Sequence, residues 1–134
     1  MFNKKKQPPI KSLIAEGSQI DGNYTFSDGL RVDGAIKGNI YSSPELPSIL
    51  VISETATVVG SLNADHIIIN GTVTGDVHAK LMLELQPKAR IEGNVHYSAL
   101  EMHQGALIAG QLRPLAGLVT GEDKPALKLA ANNG

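Results

Sequence analysis

The chain has 134 residues, a formal net charge of −1, no cysteine and no tryptophan. The near-neutral balance leaves no basic field for general nucleic-acid binding. The lack of cysteine excludes a disulfide framework and a thiolate metal site, and no apolar run approaches the roughly 20 residues of a membrane span.

Residues 1–11, MFNKKKQPPIK, show no periodicity, and Pro8 and Pro9 forbid a helix running on into the next segment. The segment reads as a flexible N-terminal tail. Its lysines are followed by no apolar stretch of the secretory kind, so a cytoplasmic protein is expected. Met1 and Phe2 stand directly before Lys4, Lys5 and Lys6. Such a segment is either a solvated leader or a membrane-surface anchor, with the apolar pair at the headgroup boundary and the lysines on anionic lipid.

From Ser12 onward one phrase recurs. LRVDGAIKGNI spans Leu30 to Ile40, and IIINGTVTGDV spans Ile67 to Val77. Apolar residues and glycine alternate with polar residues in both, the period of a strand with one buried face. Aligning every occurrence on one glycine gives Gly22, Gly38, Gly60, Gly75, Gly93 and Gly110. Two residues earlier stand Ile20, Ile36, Val58, Val73, Ile91 and Ile108, all β-branched. Two residues later stand Tyr24, Ile40, Leu62, Val77, Val95 and Leu112. The residue just after each glycine is Asn23, Asn39, Ser61, Asp76, Asn94 or Gln111, all polar. LVISETATVVGSL, LELQPKARIEGNV and LEMHQGALIAGQL, beginning at Leu50, Leu83 and Leu100, extend the match upstream.

Three columns in register predict an all-β fold, a parallel β-helix (β-solenoid) of about six rungs over residues 12–115. Each coil buries its apolar edge only by stacking on its neighbours. The β-branched column fills the interior, glycine sits where the coil bends, and the residue after it faces outward. The mixed coil length favours the right-handed form, because a left-handed hexapeptide coil would repeat an aliphatic residue every six positions. SSPELPS, Ser42 to Ser48, interrupts the spacing with two prolines and reads as a loop. Pro114 ends the last strand. Residues 116–134 carry no repeat and read as a flexible C-terminal tail, with one turn of helix at Ala126 to Ala131.

The chemistry offered is sparse. His78 and His96 occupy equivalent places on successive rungs, in an outward column otherwise made of Thr25, Tyr41, Asn63 and Arg113. A zinc site wants three or four ligands with supporting partners, and His66 and His103 show no third partner in register. No metal, catalytic or cofactor residue is therefore assigned. No nucleophile elbow occurs. The phosphate-loop pattern is absent too, and the pairs Gly34/Gly38 and Gly71/Gly75 are read as lying within strands rather than before a helix.

The repeats VDGAIKGNI, INGTVTGDV and ARIEGNV resemble the bactofilin family, the polymer-forming cytoskeletal proteins of bacteria, over roughly Ser12 to Leu115. The start MFNKKK is similar to the membrane-targeting segment that many members carry, here Met1, Phe2, Lys4, Lys5 and Lys6. The resemblance implies a right-handed β-helix that polymerises end to end without nucleotide. It further implies a scaffold at the inner face of the cytoplasmic membrane, recruiting cell-wall or cell-shape machinery. Relatives often place a phenylalanine near the C-terminal end contact; here Leu107, Leu112 and Leu115 are the large apolar groups available. With Ile14, Ile20 and Tyr24 of the first rung, they form the expected polymerisation surfaces. Expected partners are further copies of the chain and an anionic lipid surface, with no nucleic acid, nucleotide or cofactor. The competing readings are a β-helix enzyme of the hexapeptide acyltransferase or carbonic anhydrase type, which needs a hexapeptide register, and a monomeric solenoid binding module.

Overall fold

A computed structural model describes residues 9–45 and 47–115. The tail residues Met1 to Lys6 and the segment 116–134, with its expected helical turn, lie outside the described residues. The first rung is β1 (Ser12–Ile14), β2 (Gln19–Asp21) and β3 (Tyr24–Phe26). The second is β4 (Gly29–Val32), β5 (Ala35–Lys37) and β6 (Ile40–Ser42). From there the chain runs through β7 (Ile49–Ile52), β8 (Thr57–Val59), β9 (Leu62–Ile69), β10 (Thr72–Thr74) and β11 (Val77–Leu85). It ends with β12 (Arg90–Glu92), β13 (Val95–Met102), β14 (Leu107–Ala109) and β15 (Leu112–Pro114). Every pairing is parallel, and no helix occurs among the described residues.

The strands form two sheets. The six-stranded sheet takes β2, β5, β8, β10, β12 and β14, one from each of six turns. The nine-stranded sheet covers the other two faces, because β9, β11 and β13 each run from one face onto the next. This is the expected β-solenoid.

The columns read from the sequence are the pairing register. Ile20, Ile36, Val58, Val73, Ile91 and Ile108 stand one above another. Tyr24, Ile40, Leu62, Val77, Val95 and Leu112 do the same. A third interior column holds Leu30, Leu50, Ile67 and Leu83. The middle members of all three are buried. Each such side chain contributes about 1.5–3 kcal/mol of hydrophobic stabilisation, so a core made mainly of aliphatic side chains, with Phe26 buried at its N-terminal end, is built by repetition.

Two readings need correction at the corners. Ile67 to Val77 is not one strand. It comprises the end of β9, all of β10 and the first residue of β11, with bends at Gly71 and Gly75. The in–out alternation survives both bends, which is why the phrase resembles a single strand. For the same reason Gly34 and Gly38 sit in bends flanking β5, not within strands. The difference between long and short rungs is also a corner effect. β4 and β9 turn into the next strand through Asp33–Gly34 and Asn70–Gly71. β7, β11 and β13 turn through Ser53 to Ala56, Gln86 to Ala89 and His103 to Ala106. These longer corners tuck an alanine into the core.

The residues after the anchor glycines do more than face outward. Asn39 N–H donates to Asn23 Oδ1 at 2.9 Å and Ser61 N–H to Asn39 Oδ1 at 2.9 Å. Further along, Asn94 N–H donates to Asp76 Oδ1 and Gln111 N–H to Asn94 Oδ1, both at 3.0 Å. Each side-chain oxygen satisfies a backbone donor of the next rung at the bend, where an unpaired group would be costly. The SSPELPS loop is latched in the same manner. Ser48 N–H donates to Asp65 Oδ2 at 3.1 Å, and Asp65 N–H donates to Ser48 Oγ at 3.0 Å.

The anchor glycines separate conformation from contact. Gly75 has φ +151°, and a Cβ there would collide with the Gly60 carbonyl of the rung before. Gly22 has φ +131° but no rung before it among the described residues, and its Cβ would meet nothing within 4 Å. Alanine at either site is strained by about 1–3 kcal/mol through its backbone. Gly75→Ala alone adds the collision and should melt at a clearly lower temperature than Gly22→Ala. Equal melting temperatures would contradict the stacking of glycine on glycine.

Candidate assembly ends and outward columns

A solenoid has two ends at which backbone and interior columns stop. The six expected end residues are not equivalent. At the N-terminal end Ile14 is buried, and Ile20 and Tyr24 are half-buried against the core. The interior column above Leu30 begins there with Ser12, a small polar residue. At the C-terminal end Leu112 caps an interior column and is 41% exposed. Leu115, whose N–H donates to Tyr97 O at 2.7 Å, is also exposed. Leu107 is exposed for another reason. It stacks on Arg90, whose column faces sideways, so it points away from the solenoid axis.

Sequence reasoning left out Met102 and Ile108. Met102 stacks on Leu85 at the top of the interior column Ile52, Ile69, Leu85 and is 45% exposed. Ile108 caps the β-branched column and is only partly buried. The signal was present: LEMHQGA aligns on LELQPKA, and Met102 falls on Leu85. The C-terminal end therefore offers more uncovered interior side chain than the N-terminal end.

His78 and His96 stack as expected, with ring centroids 4.2 Å apart and planes 5° from parallel. Imidazole lone pairs lie in the ring plane, so two parallel rings direct them along parallel lines and not at a common point. Asn63 and Arg113 flank the pair in the column. His78 Nδ1 is enclosed, with no hydrogen-bond partner among the described residues. Burial first, and the neighbouring His96 second, push the His78 pKa below the usual imidazole value, while Asp76 opposes them.

The expectation that His103 lacks a third partner is corrected. Glu84 and Glu101 stand in register on β11 and β13. His103 Nε2 lies 3.2 Å from Glu84 Oε2 and 3.3 Å from Glu101 Oε2. Gln86 Nε2 donates to Glu84 Oε2 at 3.3 Å. The alignment that places Met102 on Leu85 also places Glu101 on Glu84, so this cluster too was readable.

The histidine stack carries a pH dependence. Folding lowers the His78 pKa, so the unfolded chain binds its proton more tightly. The stability this residue contributes is present above the unfolded value near 6.5 and is lost as pH falls through the folded value. The melting temperature should fall as pH drops through this range, and His78→Gln should flatten the fall. An unchanged profile in His78→Gln would contradict the assignment.

The comparisons with known proteins agree with this geometry. A family model for bactofilins, described as polymer-forming cytoskeletal, matches residues 12–113. Bactofilin BacO of Myxococcus xanthus (strain DK1622) is 23% identical over 111 residues, covering 83% of this chain and 85% of that protein. No solved structure matches significantly. With its six-turn solenoid matched almost end to end by the family model, the chain belongs to the bactofilin family of polymer-forming cytoskeletal proteins.

Proposed function

We propose that this chain is a non-enzymatic scaffold subunit that joins end to end into filaments without nucleotide. In this reading the filaments lie on the inner face of the cytoplasmic membrane and recruit cell-wall or cell-shape machinery. The observation that carries the reading is the uncovered C-terminal end, where Met102 and Leu112 cap interior columns yet stay exposed. An open strand edge with apolar side chains is a template for pairing, and a second copy satisfies both the backbone and the apolar surface. The absence of a phosphate-loop sequence supports assembly without nucleotide.

Attachment to the membrane is assigned to Met1, Phe2, Lys4, Lys5 and Lys6. Two apolar side chains bury little surface, and each lysine adds about 1 kcal/mol near an anionic leaflet. A single subunit therefore binds weakly and reversibly. A filament presents many such segments along one line, and avidity strengthens binding by orders of magnitude.

Purified protein should form filaments whose pelleting is unchanged by ATP or GTP. Leu112→Arg, at the axial end, should give a folded subunit that neither assembles nor sediments with anionic liposomes. Leu107→Arg, on the side of the last rung, should still assemble. Phe2→Ala, or removal of Met1 to Lys6, should leave filaments intact but free of liposomes. Electron microscopy beside liposome co-sedimentation reads all four. A nucleotide requirement, a discrete small oligomer as end product, or tail-less filaments that still sediment with liposomes would each overturn part of the proposal.

A further inference from the structure

We propose that Glu84, Glu101 and His103 form a binding site for a divalent transition metal, with Zn2+ the best match. The ladder sets two carboxylates directly over one another, Glu84 on β11 and Glu101 on β13. Like charges at adjacent ladder positions are destabilising. Among the described ion pairs neither carboxylate meets a lysine or arginine; both meet only His103. His103 begins the corner after β13, and its backbone N–H donates to Leu85 O at 2.8 Å, which fixes the ring's origin.

The three donor atoms lie within 4.8 Å of one another. The imidazole nitrogen stands 3.2 and 3.3 Å from the two carboxylate oxygens. Ligands about 2.0–2.2 Å from a tetrahedral zinc are separated by roughly 3.4 Å, so the cation fits between these atoms with small side-chain movement. Gln86 Nε2, donating to Glu84 Oε2, is the kind of outer partner that holds a ligating carboxylate in place. Two oxygens and one imidazole suit a borderline metal better than calcium or magnesium. The side chains of Glu101 and His103 are 54% and 40% exposed, which leaves a fourth position for water.

A simple ion pair is the rival account. A protonated imidazole joining the two carboxylates would give the same contacts but no uptake of metal. A divalent cation supplies positive charge to both stacked carboxylates at once and takes the imidazole nitrogen as a third ligand. The bound ion would tie together the last two strands of one face, beside the open C-terminal end.

The test is titration of the full chain with Zn2+ at pH 7.5 by calorimetry, with visible absorption of Co2+ as a report of inner-sphere coordination. The expected result is one ion per chain at micromolar affinity or tighter, a tetrahedral-type Co2+ spectrum and a raised melting temperature. His103→Ala and Glu84→Gln, both outward-facing and checked for native circular dichroism, should each weaken binding at least about tenfold. His78→Ala combined with His96→Ala should leave it unchanged. Absence of stoichiometric uptake would overturn the proposal. So would uptake that survives His103→Ala and Glu84→Gln, or that vanishes with the His78/His96 pair.

Discussion

Parallel, in-register hydrogen bonding between successive turns is the constraint on which the rest of this structure depends. Adjacent strands lie about 4.8 Å apart, so each residue must tolerate its counterpart at that distance. Aliphatic side chains do so with gain, and Leu30, Leu50, Ile67 and Leu83 form one continuous ladder. Asparagine does so because its side-chain oxygen reaches a backbone donor of the next turn, as Asn23 does for Asn39. Charge does so only with a partner, which makes the stacked pair Glu84 and Glu101 exceptional among the described columns.

The corners decide how turns of unequal length can share one register. Glycine at the anchor positions lets a backbone bend lie directly on the carbonyl of the bend before it. The second corner comes in two lengths and absorbs the difference outside the strands, with Ala56, Ala89 and Ala106 filling the inside. The third corner is the most variable. It holds the Ser43 to Ser48 insertion, latched by Asp65, and the Lys80–Leu81 irregularity of β11, where Leu81 projects into solvent. Variation is thus confined to the corners, outside the three interior columns.

This division explains what was legible in the sequence. Columns anchored on glycine carry the same residue class at a fixed offset, so Val73 could be stacked on Val58 from spacing alone. Alternation persists through a bend, so it could not reveal that Ile67 to Val77 turns twice. Whether an end residue points along the axis or sideways also follows from register alone: Leu107 shares a column with Arg90, and Met102 with Leu85. The Ser48–Asp65 latch was not legible. Its partners come from an insertion and from a corner without a repeat, and no period relates them. The Glu84, Glu101 and His103 cluster lay between these cases. Its carboxylates follow from the alignment, but the reach of His103 across to Glu84 depends on the shape of the turn.

The family is polymer-forming, and we propose that the stack continues through the subunit boundary. Fibre diffraction from aligned filaments tests this directly, because it reports the direction of strand stacking relative to the filament. End-to-end joining makes the solenoid axis the filament axis, so the reflection near 4.8 Å should lie on the meridian. The same reflection on the equator would mean that subunits join through their sides, and would contradict the account.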